Sequence, residues 1–310
     1  ASDLLKNKKI GIYQHSSAGR DLYPVLFKAL GADVVCLGYS DEFVPIDTEA
    51  VADADRVQAR KWASEHKLDA VFSTDGDGDR PLLADENGDY FTGDALCLLA
   101  AKSLNIEALG IPVSCTSSVE LTGFFNTVKR TKIGSPYVIE AFAGLMNNYA
   151  AVAGFEANGG FLLASTILIN NKPLISLPTR DAVLPVLATL TLANGANLSA
   201  LNNLLPARFN YSDRLKNITK AQSGPLIELG VNTPSKLLNA LNLNEFTVKH
   251  ADTTDGVRLT LTNDDIIHLR PSGNAPELRC YTESNSANNA KQLALNVLSK
   301  VKRYVTHVVA

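Results

Sequence analysis

Apolar segments that alternate with helical patterns constrain the fold of this chain more than any other feature. Residues 9–13, 33–37 and 69–73 (KIGIY, DVVCL and DAVFS) have the composition of strands, and residues 21–30 and 49–66 have helical patterns. A strand–helix–strand order predicts parallel pairing with crossover helices. In such sheets, ligand sites lie beyond the carboxyl ends of the strands.

A second α/β segment follows, and then a C-terminal part with a different pattern. The second segment contains a strand at VAGFE, a hairpin at ILINNKPLI and a helix predicted over 179–192. Consecutive strand patterns at FTVKH, GVRLTLT, DIIHL and ELRCYT come next, followed by a helix over 287–305. We predict an α/β chain of three domains. Two domains with mixed sheets occupy 1–105 and 106–212, and a smaller α+β domain, an antiparallel sheet with helices on one face, occupies 213–310.

Composition excludes several classes of function. Hydrophobic residues make up 45% of the sequence and charged residues 20%, as in globular proteins. A net charge of −3 without a long basic run argues against nucleic-acid and anionic-membrane partners. No apolar run reaches the roughly 18 residues that span a bilayer. The four cysteines form no C-x-x-C pair, which favours small buried side chains in a reducing cytoplasm.

Three aspartates alternate with glycines directly after the third predicted strand, in STDGDGDRPLL (73–83). Asp75, Asp77 and Asp79 offer only oxygen ligands, which suit a hard cation such as Mg²⁺. The glycines let the backbone fold these side chains toward one point. Arg80 adds a cation beside the carboxylates, which favours a site where an anion joins the metal, as a phosphoryl group does.

Three other interpretations fit the residues of this loop less well. The aspartates and Glu86 match positions 1, 3, 5 and 12 of an EF-hand, but Arg80 stands where that loop needs glycine, Pro81 follows, and the flanks are strand-like. A solvated acidic turn would not need the apolar strand that directly precedes this loop. A phosphatase-type nucleophilic aspartate does not call for a third aspartate and an arginine.

A glycine-rich loop, GFEANGG (154–160), follows another predicted strand. Glu156 and Asn158 suit the recognition of hydroxyl groups, as sugars require. A glycine-rich turn with one exposed glutamate is the alternative.

The segment RPSGNAPELR (270–279) carries groups that bind phosphate. The candidates are Arg270, Ser272, the Gly273 backbone and Asn274, with Arg279 as a further cation whose strand alternation leaves its direction open. An ordinary β-turn loop is the alternative.

In this order the three loops resemble those of the α-D-phosphohexomutase family, the phosphomannomutases and phosphoglucomutases. The resemblance rests on D-G-D-G-D-R (75–80), G-F-E-A-N-G-G (154–160) and R-P-S-G-N-A-P (270–276). The last loop usually reads R-P-S-G-T-E-P in the family, so Asn274 and Ala275 depart from it. Many members have E-x-S-G-H in the sugar loop, which differs from this chain and leaves the preferred hexose open.

The resemblance implies a reaction and a set of partners. A phosphoserine would bind Mg²⁺ held by Asp75, Asp77 and Asp79, and Arg80 would stabilise the transferring oxygens. The substrates would be mannose or glucose 1- and 6-phosphates, which interconvert through a hexose 1,6-bisphosphate. Glu156 and Asn158 would bind the sugar. The phosphate that is not reacting would bind Arg270, Ser272, Gly273, Asn274 and Arg279. The general acid/base stays unassigned, with Lys132 and Ser135 as candidates.

Family members have four domains, and this sequence resembles the second to fourth. The family's serine lies in a T-A-S-H-N-P-like loop. The nearest string here, His15-Ser16-Ser17, lacks the asparagine and proline. The chain also has one methionine, Met146. We therefore expect a cytoplasmic fragment, monomeric or dimeric, that lacks the nucleophile domain and is inactive alone. The alternative is a non-catalytic protein, native at this length, that binds Mg²⁺ and a sugar phosphate.

Overall fold

The computed structural model describes residues 3–273 and 275–308, and these form two compact units. The first unit extends to Cys115 and includes Val119–Lys129 and Gly134–Pro206. The second unit comprises Thr116–Ser118, Arg130–Ile133 and the chain from Ala207 onward. The division into three domains at 105/106 and 212/213 stays a prediction.

The elements up to residue 206 build two mixed sheets. The strands are β1 (Lys9–His15), β2 (Asp33–Tyr39), β3 (Ala70–Thr74), β4 (Pro81–Ala84), β5 (Ala108–Pro112), β6 (Thr127–Thr131), β7 (Val152–Phe155), β8 (Phe161–Leu163), β9 (Ile167–Ile169), β10 (Lys172–Leu174) and β11 (Leu177–Asp181). The helices are α1 (Leu22–Ala29), α2 (Asp53–His66), α3 (Gly93–Ser103), α4 (Ser118–Leu121), α5 (Ser135–Met146) and α6 (Leu184–Leu192), followed by a 3₁₀ helix, Leu198–Leu204.

The strand orders are β2-β1-β3-β4 and β11-β8-β7-β5-β6, and β9 and β10 form a separate hairpin. Strand β1 pairs in parallel with β2 and β3, which confirms the predicted crossover connections. Strands β4, β8 and β11 add antiparallel pairs, so each sheet is mixed, as predicted.

Helices α3 and α6 explain why both sheets belong to one compact unit. Leu96 and Leu99 of α3 pack in the core of the first sheet, while Cys97 and Leu98 pack in the core of the second. Helix α6 returns to the first core through residues such as Val186. An apolar helix that is covered on several sides can serve two sheets at once.

The predicted helix over 179–192 begins too early. Residues up to Asp181 belong to β11, and α6 begins at Leu184. The Asp181 Oδ1 atom accepts hydrogen bonds from the backbone N–H groups of Val183 (2.8 Å) and Leu184 (3.0 Å). These bonds satisfy amide groups at the start of the helix, so the strand ends and the helix begins there.

The C-terminal unit is an antiparallel sheet with helices on one face, as predicted. Its elements are β12 (Phe209–Lys216), α7 (Lys220–Asn232), α8 (Pro234–Ala240), β13 (Val248–Asp252), β14 (Val257–Leu261), β15 (Ile266–Pro271), β16 (Glu277–Ser284) and α9 (Ala287–Val308). The strand order is β12-β16-β15-β14-β13. Leu226, Leu237 and Val297 of the helices pack on Leu259 and Leu269 of the sheet.

Three of these elements, β12, α7 and α8, were not predicted from the sequence. The predicted boundary at 212/213 lies within β12. Across residues 3–273 and 275–308, no helix is both long enough and apolar enough to cross a bilayer.

Candidate functional site

The acidic loop is organised by its first aspartate. Asp75 directly follows the buried strand β3 and is itself 5% exposed. Its Oδ1 atom accepts hydrogen bonds from the backbone N–H groups of Gly78 (3.0 Å), Asp79 (3.2 Å) and Arg80 (3.3 Å). Gly78 has a φ of +81°, a conformation that favours glycine. One carboxylate oxygen thus shapes the loop, and the other oxygen, Oδ2, points toward Arg80.

Asp79 and Arg80 leave polar atoms that are buried but have no hydrogen-bond partner. The Arg80 Nε atom lies 3.6 Å from Asp75 Oδ2 and 3.8 Å from Asp79 Oδ1, too far for direct hydrogen bonds. Both Arg80 Nε and Asp79 Oδ1 are buried without a partner. Buried polar atoms are rarely left unsatisfied, so these two atoms indicate the place of a bound group.

The carboxylate oxygens of this loop are of the type that binds a hard cation, but the three aspartate side chains do not converge on one point in the structure. Asp77 is exposed, and among residues 3–273 and 275–308 no three acidic, histidine or cysteine side chains form a group that could hold a metal ion. Asp75 and Asp79 lie together around Arg80. Carboxylate oxygens, one of them buried without a hydrogen-bond partner, are ligands of the kind that Mg²⁺ prefers. The three-aspartate ligand set therefore stays a prediction.

The segment after β1 supports the acidic loop. The Ala18 N–H donates to the Gly76 carbonyl (2.9 Å), and the Tyr23 hydroxyl donates to the Gly78 carbonyl (3.0 Å). Ser17 Oγ lies 2.7 Å from Thr74 Oγ1, and Ser16 Oγ accepts the Val44 N–H at 2.8 Å. The hydroxyl groups of Ser16 and Ser17 thus both make hydrogen bonds within the structure that holds the acidic loop in place.

An EF-hand does not fit this loop, because strands β3 and β4 flank it. The Glu86 carboxylate, which would have been the last ligand, binds the Ser199 backbone N–H (3.2 Å) and the Ser199 hydroxyl.

The glycine-rich loop follows β7 and holds Glu156 in a buried position. Glu156 is 5% exposed, so it is not the solvent-exposed glutamate of an ordinary turn. Its backbone N–H donates to the Gly160 carbonyl, and its carbonyl accepts from the Gly159 N–H, both at 3.0 Å. Asn158 Oδ1 accepts the Gly160 N–H (3.0 Å). The Asn158 side chain therefore shapes the loop, and its predicted contact with a sugar stays a prediction.

Arg180 joins the acidic loop to the glycine-rich loop within the first unit. Its Nε atom donates to Glu156 Oε2 at 2.7 Å, and its Nη1 atom donates to Asp79 Oδ2 at 3.1 Å. Burial lowers the pKa of Arg180, but the hydrogen bonds and charges of Glu156 and Asp79 outweigh it and the pKa is raised. The sequence prediction missed this residue, because it placed residues 179–192 in one helix. Pro185 in the first turn of α6 is the signal that would have started the helix after Arg180.

The predicted phosphate loop is the β15–β16 connection in the second unit. Arg270 donates from Nε to Asp255 Oδ2 (2.8 Å). Ser272 is 5% exposed; its N–H donates to the Glu277 carbonyl (2.8 Å), and its Oγ accepts the Ala275 N–H (3.3 Å). Nothing lies within 4 Å of the side-chain position of Gly273, so space is open beside this backbone. Asn274 lies outside the described residues.

Three arginines form a row across the C-terminal sheet. Arg279 of β16 pairs directly with Arg270 of β15 on one side and with Arg214 of β12 on the other. Directly opposed residues project from the same face of a sheet, so Arg279 lies on the face of Arg270. Like charges in this arrangement destabilise a sheet unless anions lie beside them. Carboxylates of the chain supply part of this compensation, because Asp255 lies 2.8 Å from Arg270 and Glu277 lies 3.8 Å from Arg214. The sequence prediction missed Arg214, because β12 was not predicted.

The fold is that of a mixed α/β protein in which carboxylate side chains and arginines lie on separate loops. Residues 227–300 match the family described as phosphoglucomutase/phosphomannomutase, C-terminal domain. The chain is 56% identical over 298 residues to a phosphomannomutase from Salmonella muenchen, covering 96% of this chain and 62% of that protein. A phosphomannomutase from Sinorhizobium fredii is 39% identical over 292 residues, covering 93% of this chain and 61% of the relative.

A solved structure shares the fold. The phosphoglucomutase/phosphomannomutase family protein from Burkholderia thailandensis superimposes with a TM-score of 0.69 at 19% identity, covering 96% of this chain and 60% of that one. The chain belongs to the α-D-phosphohexomutase family, as the sequence motifs predicted. It spans about three fifths of the length of the curated relatives that it matches.

Proposed function

We propose that this chain carries out the metal, sugar and phosphate binding of a phosphomannomutase or phosphoglucomutase. The reaction is the interconversion of hexose 1-phosphate and hexose 6-phosphate through a phosphoserine and a hexose 1,6-bisphosphate. The observation that carries the proposal is the 56% identity to a phosphomannomutase over 96% of the chain.

Each loop has its own task in this proposal. Arg80, whose Nε has no hydrogen-bond partner, binds oxygens of the transferring phosphoryl group. Glu156 has one oxygen on Arg180 and offers the other to sugar hydroxyls. Mg²⁺ bound by Asp75, Asp77 and Asp79 would neutralise negative charge on the phosphoryl oxygens.

The phosphate loop anchors the ester that is not reacting. Arg270 and Arg279 supply charge, and the Ser272 hydroxyl and the backbone at Gly273 and Asn274 supply hydrogen bonds. No residue of this chain is assigned as the phosphoserine. We therefore propose that the chain binds hexose phosphates but does not turn them over alone.

Calorimetry with the 310-residue chain tests this function. We expect mannose 1-phosphate and glucose 1-phosphate to bind in the presence of Mg²⁺, whereas free mannose does not. Arg270→Met should weaken binding at least about tenfold, because a charge-assisted hydrogen bond is lost. The exposed Arg303→Met is the matched control and should leave affinity unchanged.

Two outcomes would contradict the proposal. Equal binding of free mannose and its phosphate esters would remove the phosphate loop from the function. Sustained conversion of mannose 1-phosphate by the chain alone, with hexose 1,6-bisphosphate and Mg²⁺, would remove the need for a phosphoserine supplied from elsewhere.

A further inference from the structure

Arg180 makes an ion-pair bridge between two loops that belong to different sheets. The acidic loop follows β3 in the first sheet, and the glycine-rich loop follows β7 in the second. The bridge is short at both ends, 2.7 Å to Glu156 and 3.1 Å to Asp79. The Arg180 and Glu156 side chains are 25% and 7% exposed, so bulk water screens this pair only in part.

The local backbone fixes the position of this arginine. Arg180 lies in an irregular part of the β8–β11 pairing, where the register shifts between Leu177 and Asp181. Asp181 Oδ1 then accepts the backbone N–H groups of Val183 and Leu184 at the start of α6. A Cβ atom on Gly160 would lie 2.9 Å from Arg180 Cδ, so the glycine leaves room for the aliphatic part of the side chain. The guanidinium therefore reaches both carboxylates from a defined point.

The bridge occupies only half of each carboxylate. Asp79 uses Oδ2 for Arg180, and its Oδ1 is buried without a hydrogen-bond partner, 3.8 Å from Arg80 Nε. Glu156 uses Oε2. One guanidinium thus shares its positive charge between two anions, and a change at one anion alters how strongly it holds the other.

We propose that Arg180 is a positioning residue that couples metal binding at the acidic loop to sugar binding at the glycine-rich loop, through Asp79 and Glu156. The identity of the ligand at each loop rests on the proposed function. A cation at Asp79 competes with Arg180 for that carboxylate, and Glu156 weakens this competition by holding Arg180. Glu156 therefore strengthens metal binding at Asp79 without being a metal ligand. Because coupling free energies are reciprocal, a metal at Asp79 also changes affinity at Glu156.

A double-mutant cycle on the 310-residue chain tests this coupling, with Mn²⁺ alone as the probe and calorimetry as the readout. Glu156→Gln releases Arg180 onto Asp79 and should weaken Mn²⁺ binding at least about threefold. Arg180→Met removes the competitor and should tighten Mn²⁺ binding at least about threefold. In the Arg180→Met background, Glu156→Gln should have no further effect.

The matched control is Arg60→Met. Arg60 also pairs with an aspartate, Asp89, at 2.7 Å, but both side chains are more than half exposed. Its loss should not change Mn²⁺ affinity. Arg180→Lys serves as a second variant. It keeps the positive charge but loses the separate Nε and Nη1 donors that bind Glu156 and Asp79, so it should reduce the effect of Glu156→Gln.

The outcomes separate this inference from the proposed function. If the unsubstituted chain does not bind Mn²⁺, the metal loop and the coupling are both wrong. If it binds Mn²⁺ and Glu156→Gln weakens binding equally with and without Arg180, only the coupling is wrong, because the effect is then general electrostatics. Weaker Mn²⁺ binding by Arg180→Met would show that Arg180 merely supports the loop, and this would also overturn the coupling.

Discussion

His268 shows how a single buried side chain makes the C-terminal unit sensitive to acid. It is 1% exposed on β15, and its Nε2 atom lies 2.7 Å from the Asp255 carbonyl oxygen, so Nε2 carries the proton and donates. Its Nδ1 atom is buried without a partner. The pKa of His268 is lowered from 6.5 to about 4, mainly because the side chain is buried. The hydrogen bond to the Asp255 carbonyl opposes this shift and is the second-largest effect. Of the smaller effects, the charges of Arg258 and Arg270 lower the pKa and the charge of Asp255 raises it.

The stability of this unit should therefore fall on acidification. Between pH 6.5 and about 4 the unfolded state binds a proton at His268 that the folded state excludes, so the free energy of unfolding falls as pH falls through this window. The loss approaches about 3 kcal/mol at its lower end.

Urea denaturation across this pH range measures the effect. His268→Gln should be less stable at pH 7 but should lose less stability on acidification. The exposed His250→Gln is the matched control and should follow the unsubstituted chain. Parallel pH profiles for the two variants would contradict the assignment.

At the scale of elements, segments with a regular apolar period were predictable, and segments that depend on their position in the sheet or on tertiary packing were not. The strands at KIGIY, DVVCL and DAVFS and the final helix all appear in the structure, because their apolar residues repeat with the period of their element. Strand β12 (FNYSDRLK) has few apolar residues because it lies at a sheet edge, so it has no such signal. Helix α7 contains Pro225 and two glycines, which suggest a break where tertiary packing maintains a helix.

The candidate site was predicted in the same uneven way. Three parts of the site are short contiguous motifs, so their residue types could be identified in the sequence. They are the acidic loop, the glycine-rich loop with Glu156, and the predicted phosphate loop. Arg180 and Arg214 act through pairing across strands that are distant along the chain. Which side chains meet there depends on register and on a bulge, and neither leaves a local pattern.

A contrast between two helical glycines tests the packing of α3 against the glycine-rich loop. A Cβ atom on Gly93 would lie 2.4 Å from the Gly159 nitrogen and 2.5 Å from the Asn158 carbonyl carbon, which are backbone atoms and cannot rotate away. Gly93→Ala should therefore lower the free energy of unfolding by about 1–3 kcal/mol. Nothing lies within 4 Å of the corresponding position at Gly144 in α5, so Gly144→Ala should raise it by about 0.5–1 kcal/mol.

Urea denaturation of both variants provides the measurement, and the opposite signs make each variant the control for the other. Equal or greater stability of Gly93→Ala would mean that the loop moves without cost.

At the scale of the whole molecule, the second unit includes short segments from earlier in the chain. Ser117 belongs to this unit, and its N–H and hydroxyl both bind the Glu283 carboxylate of β16. Arg208 completes the group with an ion pair to Glu283 of 2.6 Å, and the Arg208 and Glu283 side chains are nearly buried. The Ile133 N–H similarly donates to Asp255 at 2.9 Å. Stability of the C-terminal sheet thus depends on residues that no contiguous C-terminal segment contains.

Ser117→Ala tests this dependence in the full 310-residue chain. Removing the hydroxyl leaves one oxygen of a buried carboxylate with fewer donors, which should cost about 1–3 kcal/mol. Hydrogen exchange measured by mass spectrometry should show faster exchange in β15 and β16 than in the unsubstituted chain, with a smaller change in β1 and β3. Ser299→Ala is the control, because that hydroxyl bonds to the Asn296 carbonyl at an exposed position of α9 in the same unit. Identical exchange in the two variants would show that the segment Thr116–Ser118 does not stabilise the C-terminal sheet.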